Sequence, residues 1–246
     1  LLTAINLNKS KMISSGKIFE VGPLFDETLE DRQVNVATGI ANGNVSGNNW
    51  NSEKKDFDVF AIKSDLMRIL KSLNTPVDNL NYEAISNKIF HPGKSSSLRI
   101  GKNIIANFGE LNPILLKSLD ISNAVVAFEI FTETLAQFQS KKTSTVSAFD
   151  NNPFQAVERD FAFLLPKSIK AIDLINKIKK IDKKIINKVS IFDVYEGEKI
   201  DENSKSIAIR VLLQPLEKTF SDEEIDGFSN QIIDLIITSF KASLRK

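Results

Sequence analysis

The chain has 246 residues, 42% hydrophobic and 26% charged, and its 32 basic and 31 acidic side chains nearly cancel. Because cysteine is absent, thiolate nucleophiles, zinc–thiolate sites and disulfide scaffolds are excluded. The single histidine, His91, argues against a Ser-His-Asp triad or a histidine-based metal site. No run of ~18 apolar residues occurs, so we expect no membrane span. The opening Leu1-Leu2-Thr3 has neither an initiator methionine nor a charged leader, so we expect a piece of a longer protein without a signal peptide.

Glycine and small polar residues divide the chain unevenly and predict two domains. Eight of the ten glycines precede residue 110. The segments Gln139–Ser147 and Asp150–Pro153 are small and polar, a composition typical of linkers. We therefore expect one domain over residues 1–150 and a second over residues 151–246, each near the usual ~100–200 residues of a domain.

Residues 1–150 carry the patterns of a mixed α+β domain. Apolar and polar residues alternate from Val34 to Ile40, which predicts a half-buried strand, and helical spacing predicts an amphipathic helix over residues 58–73. Gly101 to Asn103 separates two β-like runs and predicts a hairpin. Asn112 before Pro113 predicts a helix start, and Ala124 to Phe131 predicts a strand. With two or three helices in all, antiparallel sheet should dominate.

Residues 151–246 predict a ferredoxin-like fold. In this part, strand and helix patterns alternate in the order β-α-β-β-α-β, which is the order of the ferredoxin-like sandwich. Four strands would then form one sheet with an uncovered face. The predicted elements are a strand through Phe161, Phe163 and Leu165 to Pro166, a helix capped by Ser168, strands 185–195 and 206–213, a helix opened by the capping box of Ser221 and Glu224, and a strand over 242–245.

Three short motifs have ordinary explanations. Gly93-Lys94-Ser95 resembles the end of a phosphate-binding loop, but Lys88 stands where that loop needs glycine. Arg159 to Leu164 resembles an RNA-binding RNP1 strand, but RNP1 belongs on the third strand of its fold and this copy precedes the first, so we expect Phe161 and Phe163 to be core residues. His91 precedes Pro-Gly in a predicted loop, where a structural hydrogen bond is the expected role.

A lysine-rich segment and a possible hairpin end suggest contacts with RNA. Lys167–Lys188 contains eight lysines and two aspartates. This excess fits either a solvated helix face or a footprint for a phosphate backbone. If strands 185–195 and 206–213 pair, Tyr195 lies beside Asp193 and Ser206, where a ring can stack on a base and polar groups can bond its edge. An edge tyrosine without function fits the same spacing.

Two sets of motifs in fixed order resemble the β subunits of bacterial phenylalanyl-tRNA synthetases. The resemblance covers nearly the whole chain. In the second part the motifs are Ala156–Asp160, Phe192–Gly197, Lys205–Ala208, Lys218–Ile225 and the terminal Leu244-Arg245. In the first part they are Phe19–Gly22, Asp56-Phe57, Lys63, His91–Gly93 and Gly109–Pro113.

The resemblance implies a class II synthetase, an α2β2 heterotetramer that uses ATP and Mg to attach phenylalanine to its tRNA in the cytoplasm. The chemistry is then on the α subunit. Residues 1–150 are implied to be an N-terminally truncated, degenerate and non-catalytic class II module that packs against α subunits and binds no cofactor. Residues 151–246 are implied to be a ferredoxin-fold domain that binds the anticodon.

The same resemblance implies that Tyr195 stacks on the first anticodon base and that Asp193 and Ser206 contact the anticodon. From the basic segment and the entry motif we add Lys177, Lys180, Lys184 and Arg159 as expected RNA contacts, and we expect no catalytic or metal-binding residue. Two alternatives stay open. The chain could be a stand-alone ferredoxin-fold RNA-binding module, or a purely structural assembly fragment with a solvated lysine face.

Overall fold

A computed structural model describes residues 1–25, 33–46, 50–51, 53–85, 87–139, 152–197 and 200–245. The chain forms two compact units, Leu1–Val146 and Ser147–Lys246, each with an antiparallel sheet. The expected α+β class is therefore confirmed. The predicted linker segments lie outside the described residues, apart from Gln139, Asn152 and Pro153.

The first unit is built on a six-stranded antiparallel sheet in the order β1-β2-β6-β5-β4-β3. The predicted strands are confirmed within it, including the hairpin at Gly101. The strands are β1 (Gly16–Phe25), β2 (Gln33–Asn42), β3 (Asn81–Glu83), β4 (Phe90–Ile100), β5 (Asn103–Leu111) and β6 (Val125–Phe131).

Helices pack on both faces of this sheet. The described residues form α1 (Leu2–Ser10), α2 (Val59–Ser72), α3 (Pro113–Ser118), α4 (Thr132–Ala136) and a 3-10 turn, Val77–Asn79. Four α-helices exceed the two or three expected, because α1 buries only one side chain and α4 has only five residues, too few for a clear period. The buried side of α2 packs on one sheet face, and α1 and α3 contribute to a core on the other.

Side chains cap the starts of two helices in this unit, and His91 lies in a strand. The Asp58 carboxylate accepts a hydrogen bond from the Ala61 N–H at 2.7 Å, and the Asn112 side chain accepts one from the Ile114 N–H at 3.0 Å. His91 lies in β4 rather than in a loop, where the pairing shifts register after Phe90. Its Nδ1 accepts a hydrogen bond from the Gly93 N–H at 3.0 Å, as expected of a structural histidine.

A row of polar side chains crosses the first sheet on the face that α1 and α3 share. Direct cross-strand partners lie on one face, and the pairing joins six residues in one row. At its centre the half-buried Glu129 bonds with Asn107, whose side-chain oxygen accepts from Ser97 at 2.7 Å. The full row is Glu20, Thr38, Glu129, Asn107, Ser97 and Glu83.

Replacing Glu129 by glutamine is expected to stabilise the protein at neutral pH. Burial raises the pKa of the Glu129 carboxyl above its ordinary value, although the bond with Asn107 opposes the shift. The folded state therefore binds the carboxyl proton of Glu129 more tightly than the unfolded state does. The contribution of protonated Glu129 to the free energy of unfolding is complete below the ordinary carboxyl pKa and is lost as pH rises through the pKa of the folded state. Urea unfolding followed across pH 4 to 8 should show the advantage of Glu129→Gln growing with pH. An advantage equal at every pH would contradict this prediction.

The second unit has the ferredoxin-like fold that the element order predicts. Its four-stranded antiparallel sheet has the order β10-β7-β9-β8. The strands are β7 (Val157–Pro166), β8 (Ile186–Tyr195), β9 (Ser204–Leu213) and β10 (Ser243–Leu244), and the helices are α5 (Ala171–Lys179) and α6 (Asp222–Phe240).

One predicted cap in this unit is wrong and another is confirmed. Ser168 does not cap α5, because the Ile169 N–H bonds back to the Pro166 carbonyl in a turn and the helix begins only at Ala171, after Lys170. Ser221 and Glu224 form the complete capping box that opens α6.

No helix in the described part of the chain is long and apolar enough to cross a membrane.

Candidate nucleic-acid interface

The sheet of the second unit has one face packed under its helices and one open face. Alternate residues of β9 point to opposite faces, and Ile207, Ile209 and Val211 enter the core with side chains of α5 and α6. Phe161 and Phe163 lie in the same core, stacked at 6.1 Å between ring centroids, which confirms them as core residues. The open face is therefore defined by the alternate residues of the two strands, which are Ser206, Ala208 and Arg210 on β9 and Asp160 and Ala162 on β7.

Three predicted residues meet on this open face. Tyr195 at the end of β8 lies directly opposite Ser206, and Asp193 lies opposite Ala208. Tyr195 is 37% exposed, whereas Ser206 is only 4% exposed. Neither the Ser206 hydroxyl nor the Asp193 carboxylate has a hydrogen-bond partner among the described residues. An exposed ring and an exposed carboxylate thus lie beside a hydroxyl that is buried at the edge of this group.

The orientation of Tyr195 is fixed by two neighbours. The Arg245 guanidinium lies 5.5 Å from the centre of the ring, and the Arg245 N–H bonds to the Ala162 carbonyl at 2.8 Å. On the other side the phenolic oxygen lies 2.5 Å from where a Cβ on Gly197 would stand. A side chain at residue 197 would therefore displace the tyrosine. No sequence pattern indicates this place of Arg245, since only the pairing of β10 with β7 brings it to the open face.

The predicted basic residues lie elsewhere in the unit. Lys177 and Lys180 are exposed on α5 and at its end, and Lys184 is exposed in the following turn. Since α5 covers the core face, these lysines belong to the opposite layer from Tyr195. Arg159 pairs with Val211, so it lies on the core face of β7. The seven predicted RNA contacts therefore do not all lie on the open face and cannot form a single surface there.

Neutralising three lysines should test whether the α5 layer contacts phosphate. In the combined variant Lys177→Gln, Lys180→Gln, Lys184→Gln, each lost phosphate contact should lower the slope of log K against log salt by about 0.7–0.9. Binding to tRNA at several salt concentrations measures this slope. We expect it to fall by at least one contact, while any preference between anticodons is unchanged because phosphate contacts carry no sequence information.

A matched control removes the same charge from the first unit. Lys71, Lys102 and Lys117 are also exposed, and their combined change to glutamine should leave the slope nearly unchanged. Equal slopes for both triple variants would show that the α5 lysines are simply solvated.

Comparison with known families follows the division into two units. Residues 152–245 match the model of the ferredoxin-fold anticodon binding domain. Residues 1–132 match the model of the phenylalanyl tRNA synthetase beta chain CLM domain, which covers more than half of the chain. This chain belongs to the phenylalanyl-tRNA synthetase β-chain family.

In the aligned region, about one third of the residues are identical between this chain and its relatives. Phenylalanine–tRNA ligase β subunits from Mesorhizobium japonicum and Rhodospirillum rubrum are 34% and 33% identical over 95% and 100% of this chain. The chain spans only 30% and 31% of their lengths. A solved pyrrolysyl-tRNA synthetase from Desulfitobacterium hafniense overlaps 55% of this chain and 46% of its own at a TM-score of 0.39 and 12% identity, which is too distant to carry an argument.

Proposed function

We propose that this chain is the non-catalytic, anticodon-binding and scaffold part of a phenylalanine–tRNA ligase β subunit. The whole enzyme joins phenylalanine to its tRNA in the cytoplasm with ATP and Mg, as an α2β2 assembly with its chemistry on the α subunit. Residues 151–246 bind the anticodon, and residues 1–150 are a degenerate class II module that contacts an α subunit. The observation that carries the proposal is a match to an anticodon-binding domain whose open sheet face displays Tyr195, Asp193 and Ser206.

The chemistry of these three side chains suits a base better than a phosphate. A tyrosine ring offers a flat apolar face, and a stack on such a ring contributes about 1–3 kcal/mol. The Asp193 carboxylate accepts hydrogen bonds from amino and imino groups of a base edge, whereas it repels phosphate. The Ser206 hydroxyl can donate or accept a hydrogen bond, so Asp193 and Ser206 together can bond a base edge that carries both donors and acceptors.

A cavity of about 390 Å³ in the first unit does not fit ATP. It lies on the sheet face that α1 and α3 share, and its lining contains Glu20, Glu129 and two threonines among apolar side chains and no lysine or arginine. Two carboxylates without a basic partner repel a triphosphate. This lining agrees with the proposal that the ATP and Mg of the reaction bind to the α subunit.

The proposal is tested by binding of tRNA to the chain at two salt concentrations. Phenylalanine tRNA is compared with the same tRNA carrying an altered anticodon. A preference for the natural anticodon that persists at higher salt supports anticodon binding. Tight binding without preference would instead favour a stand-alone RNA-binding module, and no binding at either salt would favour a structural assembly fragment.

A further inference from the structure

A β-bulge in β8 turns one more aromatic ring onto the open face. The pairing of β8 with β9 shifts between Ile191 and Asp193, so Phe192 is the extra residue at that point. A bulge re-aims the side chain that it inserts. The Phe192 ring is 56% exposed and lies 5.4 Å from the guanidinium carbon of Arg210, a residue of the open face. Phe192 and Tyr195 therefore lie on the same face, although three residues of a regular strand would place them on opposite faces.

The arginine beside this ring is held in place by acidic neighbours. Arg210 bonds both carboxylate oxygens of Asp160 at 2.8 and 2.7 Å and lies 3.5 Å from a carboxylate oxygen of Glu158. The hydrogen bond from Arg210 lowers the pKa of Asp160, and the bond to Asp160 raises the pKa of Arg210, so both stay charged at neutral pH. A bidentate pair of this kind fixes the plane of the guanidinium and thereby the ring that packs against it.

The charge of this group points to a base rather than a phosphate. Two carboxylates face one guanidinium, so the local charge is negative and a phosphate would be repelled. The planar Phe192 ring packs against the planar guanidinium of Arg210, and aromatic surfaces of this kind stack on unpaired bases.

The distance between the two rings along the strand suits neighbouring bases. Asp193 and Val194 separate Phe192 from Tyr195, and at the usual rise of a strand their Cα atoms lie at most about 10 Å apart, since the bulge shortens the step at Phe192. Two bases can occupy the two rings without overlapping. Other RNA-binding sheets also stack two or three successive bases on aromatic side chains of one face.

We propose that Phe192, held by Arg210, is a second stacking site for an unpaired base on the open face, next to the base at Tyr195. This inference rests on the proposed anticodon binding and extends it from one stacked base to two. Arg210 and Asp160 are positioning residues in this site, because they contact the ring and each other.

The test uses RNA stem-loops with the anticodon sequence in which one anticodon nucleotide at a time is replaced by a fluorescent base. Stacking on a protein ring quenches that base. In the unmodified chain we expect quenching at two positions. Phe192→Leu keeps an apolar side chain but removes the ring, so it should weaken binding roughly five- to a hundredfold and abolish quenching at one position only. Phe192→Tyr retains a ring and should retain both effects. Phe60→Leu, at an exposed phenylalanine of α2, is the matched control.

The outcomes separate this proposal from the proposed function. If Tyr195→Ala weakens binding and Phe192→Leu does not, the second stacking site is wrong and anticodon binding stands. If Phe192→Leu weakens binding but removes quenching at the same position as Tyr195→Ala, Phe192 only supports the first site. If neither variant changes binding, the proposed function fails together with this inference. If Phe192→Leu instead reduces capture of the α subunit at unchanged RNA affinity, the ring is a protein contact.

Discussion

Replacing Tyr195 by alanine is expected to weaken binding of phenylalanine tRNA by about 1–3 kcal/mol and to remove the preference for its anticodon. The ring is partly exposed, lies opposite Ser206 and has the Arg245 guanidinium 5.5 Å from its centre, and Gly197 leaves room for its phenolic oxygen. Its place is thus set before RNA binds, so little ordering entropy opposes stacking. Titration of labelled tRNA into the chain, with natural and altered anticodons, measures both effects.

Two further variants control this result. Tyr195→Phe keeps the stacking face, so most of the affinity should remain. Val194→Ala changes the neighbour that pairs with Ile207, on the core face, and should leave RNA binding unchanged. Full binding and full anticodon preference in a folded Tyr195→Ala variant would rule out this ring as a base contact.

Replacing Phe163 by alanine is expected to lower the free energy of unfolding of the second unit by about 3–5 kcal/mol. Phe163 has no exposed surface, stacks on Phe161 and lies among the side chains of α5 and α6. Truncation removes apolar burial and leaves a cavity that the surrounding strands can fill only in part. Urea unfolding followed by circular dichroism measures the change.

The size of this loss depends on how much of the ring volume is replaced. Phe163→Leu should therefore cost less than Phe163→Ala, because it leaves a smaller cavity. Pro166→Ala, at an exposed position where β7 ends, should cost little by comparison. A loss below about 1 kcal/mol for Phe163→Ala would mean that this core rearranges freely, which close-packed interiors rarely do.

In the second unit, the two proposed kinds of RNA contact lie in different layers. Side chains that suit bases lie on the open face, and the lysines that suit phosphates lie on or beside α5, on the other side of the sheet. The two sets therefore predict different behaviour, since aromatic stacking sets preference among anticodons and lysines set the salt dependence. Measuring both on the same variants shows which layer carries binding.

Most elements and their order could be predicted from the sequence, although short helices such as α1 and α4 could not. The alternation around Val34, the apolar spacing of α2 and the caps Asn112 and Ser221 all act within a few residues, so they could be predicted without the fold. The order of elements after residue 151 likewise predicted the ferredoxin-like sheet. The motif Phe192–Gly197 pointed to Tyr195 and Asp193 before any pairing was known.

Only the tertiary structure decided which side chains share a face. Ser168 failed as a cap because the turn after Pro166 takes up the backbone first. The bulge beside Phe192, the place of Arg245 against Tyr195 and the separation of the α5 lysines from the open face depend on strands and helices far apart in the chain. A single register shift reverses the face of every later residue in a strand, and local sequence patterns do not fix the register between distant strands. For that reason most elements could be predicted from the sequence, whereas the places of Phe192 and Arg245 on the open face could not.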